Sequence, residues 1–233
     1  MFKNNKVYRI DKHGNKKRVF FFRKYKNLRI KFLGRNNTVE LKEPIAKFKS
    51  SKLILSDNCN VKIGTTKHKI VGLRIIAKSA KSSVIIGNNL SSEKRFTIVM
   101  SKEPDTTLSI GDDVMIANNV QMRTSDSHTI YDISTNEILN HCQNIEIGNH
   151  VWISQNCMIC KGVKIADNCV IGANSLVTRS CSDSNSIYAG TPAKKIRTNI
   201  NWDRLAPYKF DNNSDNKSSN YCRSRESNKP NGL

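Results

Sequence analysis

From Ile147 to Ser182 the chain reads as six uninterrupted hexads: IGNHVW, ISQNCM, ICKGVK, IADNCV, IGANSL and VTRSCS. The first place of each is aliphatic: Ile147, Ile153, Ile159, Ile165, Ile171 and Val177. The fifth is small or apolar: Val151, Cys157, Val163, Cys169, Ser175 and Cys181. Gly, Asp, Asn and Ser fill most of the remainder. A period of six matches neither the 3.6-residue return of a helix face nor the two-residue alternation of a strand. It fits a solenoid of short strands and tight turns, whose coils are too thin to bury a core until neighbours stack on them.

Upstream the same pattern is present in looser form. Leu28, Ile30 and Phe32 alternate with Arg29 and Lys31, GRNN makes a turn, and Val39 and Leu41 alternate again. Further units follow around Cys59, Val61 and Ile86, then tighter ones at Ile110–Val114 and Ile116–Val120. These predict degenerate early coils, so one solenoid domain is expected over residues 27–204. Residues 1–26 combine basic and aromatic residues. A helix, a hairpin around His13-Gly14-Asn15, or an arm on the solenoid end all fit, and a cap sealing the exposed end of the stack is the reading preferred. Asn199–Arg204 is expected to begin a short helix. From about Asp211 to Leu233 the chain is polar and nearly free of apolar residues, a composition that predicts disorder, so 205–233 is read as a tail.

No apolar run approaches the length of a membrane span, and the segment behind Met1 lacks the apolar core of a secretory leader; a cytoplasmic protein is expected. Seven cysteines in such a chain argue against a disulfide framework. Cys157, Cys169 and Cys181 occupy small fifth positions, where a thiol packs as a small hydrophobe. Cys157 and Cys160 form C-x-x-C without a second pair at zinc-ribbon spacing, so no metal site is assigned. The net charge of +20 is uneven, because residues 1–50 hold sixteen Lys and Arg against three acids and so carry most of it. Such a field draws polyanions, whether nucleic acid, anionic headgroups or an acidic polysaccharide.

Regular sixes stop between Met122 and Ile147, at RTSDSHTIYDISTNEILNHCQNIE. This is a loop leaving the scaffold (residues 123–146), and loops on rigid scaffolds carry function. It holds His128 and His141, with His150 just beyond. From the residues alone His128 is either a loop histidine bonded to its neighbours or a general base. Asp126 and Asp132 either orient it or make turns. Trp152 takes a sixth, outward position, where core packing does not account for it.

The hexads, the SDSHTIYD loop and the closing AGTPAKKIR together resemble the hexapeptide-repeat acyltransferases. Among these the chain looks most like bacterial O-acetyltransferases of capsule and surface-polysaccharide synthesis, those of sialic-acid capsules included. The likeness is close over residues 84–204 and loose over 27–83. It implies an all-β, left-handed parallel β-helix, an exception to the right-handed crossover rule. It also implies a homotrimer with each active site in a cleft between prisms, acetyl-CoA as co-substrate, and no metal. Residue by residue, it makes His128 the catalytic base and places Trp152 beside the reacting groups. Backbone N–H groups of Gln155 and Ala173 would face the thioester, Thr178 and Arg179 would follow the cofactor, and Lys194 and Arg197 would meet its phosphates or adenine. The sequence departs from the pattern at Ser182-Asp183, where the family has Pro-Pro, and at Ser154 and Ala166, where it has Gly.

The acceptor implied is a glycan hydroxyl, on an acidic polysaccharide if the charge is its complement; no nucleic acid is expected, and the basic N-terminus suits peripheral association with an anionic surface. Two other readings are distinguishable. A metal enzyme on the same scaffold needs His128, His141 and His150 to converge on one ion, and leaves Trp152 without a role. A non-enzymatic polyanion-binding module predicts salt-sensitive binding that survives loss of His128.

Overall fold

The computed structural model describes residues 4–20, 24–25, 27–100 and 103–214. The chain winds as a triangular solenoid, a left-handed parallel β-helix, with three sheets of eight strands as its faces. Each coil visits the first face, then the second, then the third. The strands Gln121–Arg123, Ile145–Ile147 and Trp152–Ile153 are one such circuit.

The hexad is one face of the prism. Trp152 pairs in parallel register with Val170, Met158 with Leu176, and Ile147 with Ile165, so one coil is three hexads. All the first-place and fifth-place residues of the six hexads are buried. Each fully buried aliphatic side chain is worth roughly 1.5–3 kcal/mol against exposure, a gain that exists only once the next coil covers it. Earlier coils are longer. Leu53 pairs with Ile75 and Ile98 with Met122, each pair further apart in sequence than three hexads, which is why the sixes blur there.

Corners explain the polar filler. Between the second and third faces the backbones of Gly64, Gly87, Gly111 and Gly148 stack so closely that a Cβ on Gly111 would lie 2.7 Å from the carbonyl oxygen of Gly148. Neighbouring side chains close the stack: Asp112 Oδ1 accepts from Asn88 N–H (2.5 Å), Asn149 Oδ1 from Asp112 N–H (2.8 Å), and Asp167 Oδ1 from Asn149 N–H (2.6 Å). Between the third and first faces, Asn119, Asn156 and Asn174 sit in the left-handed region at φ of 57–58°, which asparagine tolerates. Their amides bond in file at 3.0 Å.

The stack begins earlier than residue 27. Lys6–Ile10 pairs in parallel with Thr38–Lys42, so the N-terminal segment supplies a strand of the second face as well as a cover. Lys16–Arg18 folds back antiparallel on that strand through a turn at Lys12-His13, closed by the Gly14 N–H donating to the Asp11 carbonyl oxygen (3.1 Å), and Lys24–Tyr25 is antiparallel to Leu28–Phe32. These antiparallel strands occupy the N-terminal edges of two faces, where an open parallel edge would otherwise recruit another chain.

At the other end the solenoid unit closes at Asn201, and a second unit begins at Trp202. The helix expected at Asn199–Arg204 lies instead at Pro207–Ser214. Asn199 adopts φ of 55°, outside the right-handed helical region, whereas proline is suited to a first helical turn. The predicted disorder from Asp211 meets helix as far as Ser214; residues 215–233 lie outside the described residues. Among the described residues no helix is long and apolar enough to cross a membrane.

Burial separates the thiols. Cys59, Cys157, Cys169 and Cys181 are buried, and burial pushes each thiol's pKa up, that of Cys181 to about 12. Native alkylation is therefore expected to leave these four unmodified while reaching the half-buried Cys142 and Cys160, as peptide mass mapping before and after denaturation will report.

Candidate active site

The chain leaves the prism between Arg123 and Ile145, at the corner between the first and second faces, so the loop expected over residues 123–146 gives its first residue and its last two to the flanking strands. Its apex is cross-braced rather than loose. Asn140 brackets His128: its Nδ2 donates to the His128 carbonyl oxygen (2.7 Å), and its Oδ1 accepts from the Ile130 N–H (2.7 Å). The same Nδ2 reaches Asp126 Oδ2 at 3.1 Å. Lys161, half-buried one coil on, ties the brace down by donating to Asp126 Oδ2 (2.5 Å) and to the Asn140 carbonyl oxygen (2.7 Å). On the other side Arg123 donates to Ser127 Oγ at 3.2 Å, and Ser127 takes φ of 71° to turn the chain into His128.

His128 itself is exposed, and its ring makes no hydrogen bond among the described residues. It lines a cavity of about 200 Å³ with Ser125, Ser127, Asn140, His141 and Glu103. Neither suspected carboxylate orients the ring. The lysine and amide hydrogen bonds on Asp126 hold its carboxyl below the ordinary carboxylate value. Asp132 accepts from the Ser134 and Thr135 N–H groups and from the Ser134 hydroxyl, which makes it a turn former.

His141 and His150 are committed to separate carboxylates. His141 Nδ1 lies 3.1 Å from Glu103 Oε2, and His150 Nδ1 lies 2.7 Å from Asp113 Oδ2. The Glu103 carboxyl, bonded also by the Cys142 N–H at 3.0 Å, is held below its usual range chiefly by His141.

Trp152, Gln155 and Ala173 fall toward the opposite edge of the first face. Trp152 stands outward on the third face, half-buried, in file between Met115 and Val170. Gln155 and Ala173 follow at the corner between third and first faces, one coil apart, joined by the Asn174 N–H donating to the Gln155 carbonyl oxygen (2.9 Å). Both residues are exposed, and their N–H groups donate to nothing among the described residues. Thr178 and Arg179 are exposed at the corner between first and second faces, on the same prism edge as the loop.

Lys194 and Arg197 lie on the strand Ala193–Arg197, antiparallel to Ile187–Gly190, exposed and unpaired by any acid among the described residues. Asp183, at the departure from Pro-Pro, shapes this hairpin by pairing with Lys195 (2.5 Å) and offering its N–H to Tyr188 Oη (3.0 Å).

One chain thus carries two half-sites with the first face between them: the His128 loop on one edge, Trp152, Gln155 and Ala173 on the other. Asn140 and Lys161 carry no periodic signal, since a hydrogen-bond brace between a loop and the next coil has no sequence period; sequence reasoning missed both.

Comparison with known proteins agrees with this architecture. The family described as bacterial transferase hexapeptide (six repeats) matches residues 144–179. The polysialic acid O-acetyltransferase of Escherichia coli O1:K1 / APEC is 35% identical over 136 residues, covering 58% of this chain and 42% of that protein. The chain therefore spans less than half the length of that relative. The polysialic acid O-acetyltransferase of Neisseria meningitidis is 30% identical over 192 residues, covering 73% of this chain and 87% of that protein. The crystal structure of the polySia-specific acetyltransferase NeuO superimposes with a TM-score of 0.73 at 30% identity, covering 88% of this chain and 87% of that one.

Proposed function

The chain belongs to the hexapeptide-repeat O-acetyltransferases, and on that premise we propose that it moves an acetyl group from acetyl-CoA to a hydroxyl of an acidic surface polysaccharide of the polysialic acid kind, with His128 as general base. The observation that supports this most is the bracketing of His128. Asn140 holds the His128 carbonyl oxygen and the Ile130 N–H just beyond it, while the His128 ring is left free of protein partners among the described residues.

A sugar hydroxyl is a weak nucleophile until its proton is withdrawn. A neutral imidazole takes that proton as the oxygen attacks the thioester carbon. The new C–O bond gives a tetrahedral oxyanion, and N–H groups on a rigid coil, those of Gln155 and Ala173, offset its charge without reorganisation. Collapse breaks the C–S bond, and the thiolate leaving group recovers the proton from the imidazolium. Trp152 would wall the reacting groups; Thr178 and Arg179 would flank the cofactor arm, and Lys194 and Arg197 would face its phosphates, as charge-assisted bonds favour.

Because the two half-sites flank one face, the reading needs a second copy to bring His128 opposite the other half, as a homotrimer with clefts between prisms provides. The loop carries the apolar surface for such a contact: Ile130, Tyr131, Ile133 and Leu139 are all more than half exposed. We place the reaction in the cytoplasm, where its acyl donor is made.

The test is release of CoA from acetyl-CoA against acidic and neutral glycans, with the acetylated product identified by mass. Acceptor-independent release, or none with any acidic glycan, overturns the reading. Asn140 and Lys161 act through His128 as positioning residues. Asn140→Ala is expected to lower kcat by about 10²-fold, the cost of a misplaced reacting group, with the KM for acetyl-CoA unchanged. Lys161→Met should fall likewise and Lys161→Arg should recover most of the loss; a parallel rise in KM would point to general unfolding of the cleft instead.

A further inference from the structure

Outward side chains on neighbouring strands of a parallel sheet stand in file, one strand spacing of about 4.8 Å apart. On the second face such a file runs Glu40, Lys62, Ile85, Ser109, Glu146, Lys164. Its charges alternate and pair: Lys16 and Lys62 on Glu40 (2.5 and 3.9 Å) and Lys164 on Glu146 (2.9 Å).

The first face is built in the same way and charged differently. Its file runs Arg29, Lys52, Arg74, Thr97, Gln121. Three cations are thus directly opposite one another, an arrangement that destabilises a sheet. The second outward file begins at Lys31, passes Ile54, Ile76 and Val99, and ends at Arg123. The outward positions of these five strands, Leu28–Phe32 to Gln121–Arg123, hold no acid. Arg29, Lys31, Lys52 and Arg74 make no ion pair among the described residues. The scaffold that neutralises one face leaves this one open to an anion from outside.

The face leads to the reacting loop. Gln121 and Arg123 belong to the strand from which the His128 loop departs, and Arg123 bonds the residue before His128. Arg74 is two strands away from the Gln121 rung and Arg29 four, roughly 10 and 19 Å along the prism. The outward positions also discriminate between polyanions. None is aromatic, so nucleobases find no stacking platform. The Ile54–Ile76–Val99 file is half-buried, a fit for the apolar face of a pyranose ring beside its carboxylate.

We propose that the outward first face is a track for the distal sugars of an acidic polysaccharide, with Arg29, Lys52 and Arg74 meeting its carboxylates while one hydroxyl is held at His128. This rests on the acceptor reading above and extends it outside the cleft. The track acts on KM for long acceptors and on neither kcat nor short ones.

The test uses the full chain carrying R29Q, K52Q and R74Q together, with K62Q and K164Q on the paired face as control. Binding of labelled polysialic acid is measured at low and high salt, and transfer is measured with the polymer and with its dimer. Expected for the triple variant is weaker polymer binding and a raised polymer KM, on the order of tenfold as three exposed ion pairs allow, with dimer kinetics unchanged. Melting temperature should hold or rise, because like charges have been removed. Undiminished polymer binding in the triple variant, an equal loss in the control, or tighter binding of RNA or anionic vesicles than of polysialic acid overturns the track. The two readings fail separately: polymer binding lost in the triple variant of a chain that transfers no acetyl group keeps the track and removes the acetyltransferase reading.

Discussion

His128→Ala is expected to lower acetyl transfer by about 10²- to 10⁴-fold, the usual contribution of a positioned general base. The fold should be untouched, since the ring makes no hydrogen bond among the described residues and Asn140 holds only the backbone at 128 and 130. Acetyl-CoA binding should persist, because the expected cofactor contacts at Gln155, Ala173, Lys194 and Arg197 lie elsewhere. The brace carries a pH dependence of its own. The Asp126 carboxyl is held below its ordinary value of 3.8 by Lys161, so the ion pair is fully present above 3.8 and is lost only as pH drops through the depressed value. Parental activity in His128→Ala would remove this residue from the chemistry.

Phe96→Ala is expected to be the most damaging single truncation for stability. Phe96 is the largest of the fully buried side chains and lies in the core of the first face, in register with Leu73 of the preceding coil. Truncations of this kind cost about 3–5 kcal/mol, from lost transfer energy and the cavity left behind. For a chain of this size each kcal/mol lowers the melting temperature by about 2–4 °C, so a fall of more than about 6 °C is the expected calorimetric result. A solenoid coil touches only its neighbours, so the loss should open the early coils before those of the 147–182 stretch. Hydrogen exchange resolved by peptide checks this: uniform deprotection across all coils would show that the stack melts as one unit. Phe96→Leu, which refills most of the volume, should recover much of the loss.

The legible part of this protein was its periodicity. Ile147, Ile153, Ile159 and their successors return every sixth position because each face of the prism takes one strand and one corner, and a hexad is that length. From this the solenoid, its inward and outward positions and the packing role of Cys157, Cys169 and Cys181 follow without coordinates. The break in the repeat marked the loop, and the SDSHTIYD phrase singled out His128 within it. What periodicity could not carry was anything that joins residues across coils or out of the stack. Asn140 and Lys161 are 21 residues apart and meet only because the loop folds back over the next coil. The strand Lys6–Ile10 joins the second face because the end of the stack presents an open edge, a property of the assembled sheet. The charge excess near the N-terminus was visible as a sum. Its division into a paired face and an unpaired one depends on register, which sets Arg29, Lys52 and Arg74 side by side although a whole coil of chain separates each from the next. Local repetition thus determined the scaffold, because each hexad answers to its own face. The site and the charged track were decided by tertiary structure, because they consist of neighbours one coil apart.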